Sequence, residues 1–163
     1  MLAFKHIRAK AEKRKGGAKA LAKFVPPPCD NRKLAKTGDD RILSEMTKRV
    51  FCAGFVWRVI EQKWPGFEEA FLHFEPKRLL FQPDEYWEGL ARDTRIVRNP
   101  QKIRSVRENA AFVSDAGKKT KGFGKLLAEW PEDDQVGLTE FLAKGGSRLG
   151  GMTGHVTAVD LRA

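Results

Sequence analysis

The sequence predicts an all-α bundle of about eight short helices, with a basic segment ahead of it. Three observations carry that expectation. Apolar residues recur at helical spacing, and β-branched alternation is nearly absent. Proline and glycine cut the chain into short segments. The 163 residues are 41% hydrophobic and include 11 Phe and 4 Trp, enough for a core without disulfide staples.

Phe4, Ile7 and Ala11 open a helical pattern that Gly16-Gly17 interrupts and Ala18 to Phe24 resumes. The run Pro26-Pro27-Pro28 stops it. Asp39-Asp40 is positioned to cap the next helix, whose apolar face is Ile42, Leu43, Met46 and Val50. That helix is expected to continue through VFCAGFVWRVIEQKW, apolar almost all round and so central, until Pro65-Gly66 ends it. Short helices are expected over 67–74, 76–81 and 83–93, the last two with proline at the first position. Asn99 then caps a helix with Pro100 at N1 and a stripe of Ile103, Val106, Ala110 and Val113. Helices over 118–130 and 131–144 complete the set, and GGSRLGGMTG follows.

The charge is uneven. Residues 1–36 carry eleven Lys and Arg against Glu12 and Asp30, which is nine of the net ten positive charges. A basic end favours polyanions such as nucleic acid or an anionic lipid surface. A solvated arm is the plain alternative, and a transit peptide is disfavoured by the absence of serine. Cys29 and Cys52 do not make a disulfide framework; they read as thiols of a reducing compartment, and the expectation is a cytoplasmic protein. No apolar run reaches the length of a membrane span.

Metal chemistry has no signature. His6, His73 and His155 lie far apart, and neither cysteine has a partner at ligand spacing. Nucleophile elbows, Walker loops and dinucleotide fingerprints are absent. The glycine stretch has two readings. A helix, a glycine turn and a helix start can aim main-chain N–H groups at a phosphate, with Lys144 and Arg148 beside them; or the stretch is a slack tail. Trp57 likewise fits a core position or an aromatic face for an extracted base.

Ala53-Gly54-Phe55 with Trp57, Phe67 with Phe71 and Phe74, Ile96-Val97-Arg98, Lys102-Ile103 and Asn109-Ala110 together resemble the DNA-3-methyladenine glycosylase I family of the helix-hairpin-helix DNA glycosylase superfamily. The resemblance spans about residues 40–154, with SRLGG where the family carries its DNA-binding hairpin. It implies a monofunctional enzyme for base-excision repair. Such an enzyme binds duplex DNA with alkylated bases, turns out 3-methyladenine and hydrolyses its N-glycosidic bond. It needs no cofactor and no lyase lysine, and a monomer is expected; the zinc-binding Cys and His that the family carries near its termini are missing from this sequence, so no metal is expected. N3-alkylated adenine is cationic and leaves readily, so pocket fit, stacking and a positioned water suffice. Mapped onto this chain, the resemblance puts Trp57 at the base; Phe51 and Cys52, from the same apolar run, are added as base contacts. It puts Gly146, Arg148, Gly150, Gly151 and Thr153 on the hairpin. Arg98 and Lys102 are added as phosphate contacts from charge and capping.

Two further departures shape the expectation. Where the family's better-known branch carries a pocket carboxylate, this sequence has Arg49; Glu45, one turn earlier, is the catalytic candidate. After Gly154 only HVTAVDLRA follows, with Val156, Thr157 and Val159 poor helix formers. The expected organisation is therefore a basic helical segment at 1–36, a glycosylase-like domain at 37–154 and an atypical tail at 155–163, shortened at the C-terminus. A binding-only relic of the same fold is the alternative to the enzyme.

Overall fold

The computed structural model describes residues 4–24 and 30–162. These residues form eleven α-helices and one 3-10 turn, with no strand among them. The chain divides into two compact units, residues 1–29 and 30–162.

In the first unit, α1 (Phe4–Lys15) and α2 (Ala18–Ala22) meet at Gly16 and Gly17. Their φ angles of 85° and 109° suit glycine alone, so the break falls where the sequence puts it. Arg8 pairs with Glu12 one turn on, at 3.0 Å, and the Lys15 ammonium sits 4.2 Å from the Phe24 ring centroid. The triple proline and Cys29 lie outside the described residues.

Within the second unit, α4 (Asp39–Cys52) packs along α8 (Pro100–Gly117). Between them in the chain lie α5 (Trp57–Ala70), the 3-10 turn Leu72–Phe74, α6 (Pro76–Leu80) and α7 (Asp84–Leu90). The core joins Leu43 and Phe51 of α4 to Ile60 and Phe67 of α5, Leu79 of α6, and Ile103, Val106 and Ala110 of α8. Its aromatic part is a ladder. Trp64 stacks on Phe67 at 5.1 Å and on Phe74 at 5.5 Å, and Phe51 meets Phe67 edge-on at 4.8 Å, the offsets aromatic quadrupoles favour.

The Asn99-Pro100 start of α8 forms as the sequence predicts, with Asn99 Oδ1 accepting from Lys102 N at 3.1 Å. Other boundaries move for tertiary reasons. Asp39 does not cap its own helix, whose N-cap is Gly38. Its carboxylate instead accepts from Phe123 N at 2.7 Å, at the start of α9 (Phe123–Glu129). Pro65 does not end α5. Phe67 and Ala70 bury their side chains beyond it, and that packing outweighs the one hydrogen bond proline removes. α3 (Asn31–Leu34), capped by Asp30, is not apparent in the sequence. Its Leu34 is buried, and the Leu34 carbonyl presses so closely on Gly124 that a Cβ there would clash. Residues 31–36, grouped by charge with the N-terminal segment, thus pack inside the second unit.

The turn after α5 is strained. Leu72, His73 and Phe74 all have φ between 53° and 58°, a left-handed turn costing about 1–2 kcal/mol per residue. Arg41 Nη2 secures it through the His73 carbonyl at 2.8 Å. The same guanidinium holds Glu68 bidentately at 3.1 and 3.0 Å. Ser44 Oγ donates to Glu68 at 2.9 Å and Trp64 Nε1 at 3.2 Å.

Burial alone would raise the Glu68 pKa; the hydrogen bonds from Arg41 and Ser44 and the Arg41 charge outweigh it and hold the carboxyl below its usual range. A depressed folded pKa gives stabilisation that is complete above the unfolded value of about 4.3. It is lost as pH falls through the lower folded value. Glu68→Gln is therefore expected to cost about 1–3 kcal/mol at neutral pH. It should also flatten the loss of stability on acidification, read from urea melts at neutral and acid pH.

Candidate base pocket and DNA-binding hairpin

The site begins where α4 stops. The expected single helix up to Pro65-Gly66 is two helices, with Ala53 to Val56 between them. Gly54 has φ 68°, and Phe55 N bonds back to Cys52 O at 3.1 Å. The cause lies on α8. Lys102 Nζ donates to Phe51 O at 3.1 Å and to Ala53 O at 2.7 Å. A cation there completes the helix end and matches its dipole. Lys102 is only 8% exposed. Burial first, then the Arg148 charge, lowers its pKa. The expectation of a phosphate contact is corrected accordingly: Lys102 faces inward and holds the α4 terminus.

The break makes Trp57 the first residue of α5, 56% exposed. Its indole borders a cleft of about 260 Å³ lined by Arg49, Cys52, Ala53, Met152, Thr153 and Val156. Cys52 lies at the buried edge of this cleft as a free thiol, its pKa raised by desolvation. Phe51 does not reach it: fully buried, its ring packs on Phe67, so its expected place at the base is corrected to the core.

The Arg49 guanidinium lies 5.4 Å from the Trp57 ring centroid, within cation–π range. Arg49 Nε donates to Glu45 Oε1 at 2.7 Å and stands 2.7 Å from Asp160 Oδ2. The second contact is a charge contact without hydrogen-bond alignment, because Asp160 Oδ2 keeps no aligned donor. Glu45, expected as the catalytic carboxylate, is held by Arg49 and is not part of the cleft lining.

The glycine stretch joins α10 (Gln135–Gly145) to α11 (Gly151–Asp160). The second helix of the hairpin is therefore present, where the sequence leads one to expect an atypical tail. Gly154, Thr157, Ala158 and Leu161 are buried, so packing overrides the low propensity of the β-branched residues. Asn109 of α8 fixes the turn with both ends of its amide: Ser147 N donates to Oδ1 at 2.6 Å, and Nδ2 donates to Ser147 O at 3.1 Å.

The glycines divide into two groups. A Cβ on Gly145 would strike the Phe112 ring, on Gly146 the Leu149 side chain, and on Gly154 the Leu149 carbonyl. Gly146, expected on DNA, is thereby corrected to a packing position. Gly150 and Gly151 face open space. The amides of Gly151, Met152 and Thr153 precede the first α11 hydrogen bond, Gly154 N to Gly150 O at 3.4 Å, and have no hydrogen-bond partner among the described residues. Arg148 is exposed beside them, with φ 59° and Nη1 donating to Gln101 at 3.1 Å. Thr153 lines the indole cleft and also a second cleft of about 260 Å³ with Lys102, Arg148 and Gly150. The open amides and the indole thus share a wall. Arg98 is exposed at the loop before α8. Exposed Phe55 and Val56 adjoin Trp57 in the chain; the sequence gives no signal for them, because an apolar run reads as core.

The helical fold matches solved proteins. A 3-methyladenine DNA glycosylase I structure aligns with 76% of this chain and 78% of its own, at 19% identity and TM-score 0.64. The Staphylococcus aureus 3-methyladenine DNA glycosylase I, described for its recognition of 3-methyladenine, aligns with 77% and 76% at 18% identity and TM-score 0.65. A variant of such an enzyme in complex with 3-methyladenine aligns with 76% and 77% at 20% identity and TM-score 0.65. These likenesses show the fold. No curated protein sequence matches the chain. The family model for methyladenine glycosylase matches residues 33–140, well over half the chain. The chain belongs to the methyladenine glycosylase family. Its activity class is that of a DNA glycosylase, a hydrolase acting on methylated adenine. The hairpin turn lies beyond the matched residues, so its assignment rests on the geometry above. No described helix is long and apolar enough to cross a membrane.

The two open glycines give separable tests. Gly151 has φ 57°, so Gly151→Val should destabilise the fold by about 1–2 kcal/mol. Gly150 has φ −88° and ψ 162°, which any residue adopts. Gly150→Val is expected to keep the wild-type melting curve and weaken duplex binding about tenfold, the share of one charge-assisted hydrogen bond. Thermal melts and DNA titrations check both.

Proposed function

We propose that this chain excises 3-methyladenine from duplex DNA with Trp57 as the stacking face and the α11 start as the phosphate clamp. The observation that supports it most is the common wall: an exposed indole and unpaired amides meet at Thr153. A backbone phosphate would accept from the amides of Gly151, Met152 and Thr153, with Arg148 adding charge. Arg98 is a second phosphate contact. Phe55 and Val56 would enter the stack where the base leaves it, as apolar wedges do in bent DNA.

The extruded base would lie on Trp57 over Ala53 and Cys52. Water then attacks C1′, the C1′–N9 bond breaks, and the base takes the electron pair. N3-alkylation already placed a positive charge on the base, so it departs neutral without a proton from the protein, and the water's proton passes to solvent. The pocket's task is therefore to hold the base turned out while the cationic leaving group departs. Glu45 acts at most through Arg49 in this scheme. The protein works as a monomer in the cytoplasm, a compartment that suits the free Cys52 thiol.

Release of free 3-methyladenine from methylated duplex DNA tests the proposal directly. Trp57→Ala is expected to lower the release rate about 10- to 100-fold, matching the 1–3 kcal/mol of base stacking on an aromatic. Salt-sensitive binding with no released base would leave the binding-only relic as the better reading. Removing residues 1–29 should reduce the slope of log affinity against log salt by about 0.9 for each phosphate that the segment neutralises. Binding titrations over a range of salt concentrations measure it.

A further inference from the structure

We propose that the duplex-binding surface extends from the hairpin turn across the start of α8 into the cleft between α7 and α8, where Arg92 and Arg104 contact backbone phosphates. The inference rests on the base-excision reading above and adds a second stretch of surface for the same DNA.

Three observations carry it. The first is the cleft itself, about 600 Å³ between α7 and the first turns of α8, with Arg92, Arg104 and Arg107 in its lining. Its carboxylates are Asp84 and Glu88, so the balance of the lining is positive.

The second is that two of these arginines are uncommitted. Arg92 and Arg104 are exposed, and their side chains make no hydrogen bond or ion pair among the described residues. Arg107 is fixed instead. Its Nη1 donates to Asp84 Oδ1 at 2.6 Å, and its guanidinium lies 5.7 Å from the centroid of the buried Trp87 ring. Asp84 is thereby offset, and Arg107 serves as a wall rather than a contact.

The third is continuity with the hairpin. Arg148 Nη1 donates to Gln101 on α8 at 3.1 Å. Arg104 is three residues further, a neighbour of Gln101 on the helix surface and about 4.5 Å along the axis. Exposed Arg98 stands just before the helix, and Arg92 shares the cleft with Pro100, its first residue. Four arginines thus surround the α8 start, beginning at the turn that carries the open amides.

A row of exposed guanidinium groups without partners of their own suits a repeating polyanion. One strand of a duplex offers a phosphate about every 3.4 Å along its axis, and a guanidinium can grip each one bidentately. Such contacts fix orientation without reading sequence. Here they would steady the duplex on the hairpin while the base is out of the stack.

The experiment is duplex binding by the full chain over a range of salt concentrations. Arg92→Ala and Arg104→Ala are each expected to reduce the slope of log affinity against log salt by about 0.9, and the double variant by about 1.8. Thermal melts should match wild type, since neither side chain has a partner to lose. Gly150→Val, measured alongside, reports on the hairpin. An unchanged slope in the folded double variant, with binding still weakened by Gly150→Val, overturns the proposal and leaves the base-excision reading intact. A reduced slope with Gly150→Val without effect supports the proposal and counts against the clamp. If none of the variants alters binding, both fail. A polyglutamate peptide is the control for an acidic protein partner: if Arg92→Ala and Arg104→Ala weaken its binding and spare the duplex, the proposal is overturned.

Discussion

Lys102 donating to Phe51 O and Ala53 O is the contact on which the site depends. It ends α4, and ending α4 there turns Trp57 from a mid-helix residue into an exposed first residue. Seven positions on, two turns along the same helix and on nearly the same face, Asn109 grips the hairpin turn from both sides. One helix thus sets the spacing between the Trp57 indole and the hairpin turn. The buried residues between them, Ile103 and Val106, pack that helix into the core, so the spacing is held by the best-packed part of the unit. Keeping a lysine at 8% exposure is costly unless its hydrogens find acceptors; the α4 carbonyls supply them, and the same bonds shape the pocket rim.

The glycine stretch shows two physical demands met by one residue type. Gly145, Gly146 and Gly154 bring α10, α8 and the turn into contact that a Cβ would prevent. Gly150 and Gly151 do the opposite and keep the outside clear. Composition cannot separate these groups, because both call for the absence of a side chain. Only the partners facing each Cα distinguish them, and those partners, Phe112 and Leu149, come from outside the five-glycine pattern or are hidden within it.

Much of the fold was legible in the sequence where local signals act alone. Asn99-Pro100 starts α8, Gly16-Gly17 splits α1 from α2, and Trp57 and Arg148 stand out by type. What was not legible depends on contacts far along the chain. Asp39 looks like a cap for its own helix and caps α9 instead, 84 residues away. Pro65 looks like a stop and is overruled by buried Phe67. Phe51 and Trp57 look equivalent on an apolar run, yet the break at Ala53 sends one into the core and the other to the surface. The helix at 151–160 is invisible to propensity, since it exists through burial of Thr157, Ala158 and Leu161 rather than through its own sequence.

The Arg49 contacts bear on how grip and pocket cooperate. Glu45 and Arg49 belong to α4, at the pocket; Asp160 belongs to α11, which begins at the clamp. A guanidinium 2.7 Å from a carboxylate on each helix binds the far end of the hairpin to the wall of the base pocket. At the near end, Thr153 completes the same connection by lining both clefts. The hairpin is therefore tied to the Trp57 side of the unit at both ends, and in the proposed reading a phosphate on the α11 amides would sit at a set distance from the indole. For a reaction whose leaving group already carries its charge, that distance would, in the proposed reading, do most of what catalysis requires. The entropy of turning out and placing the base is met by a rigid frame, and an acid or base in the pocket adds little. Under that demand, an arginine tying two helices together is a workable occupant of a position where a free carboxylate is expected.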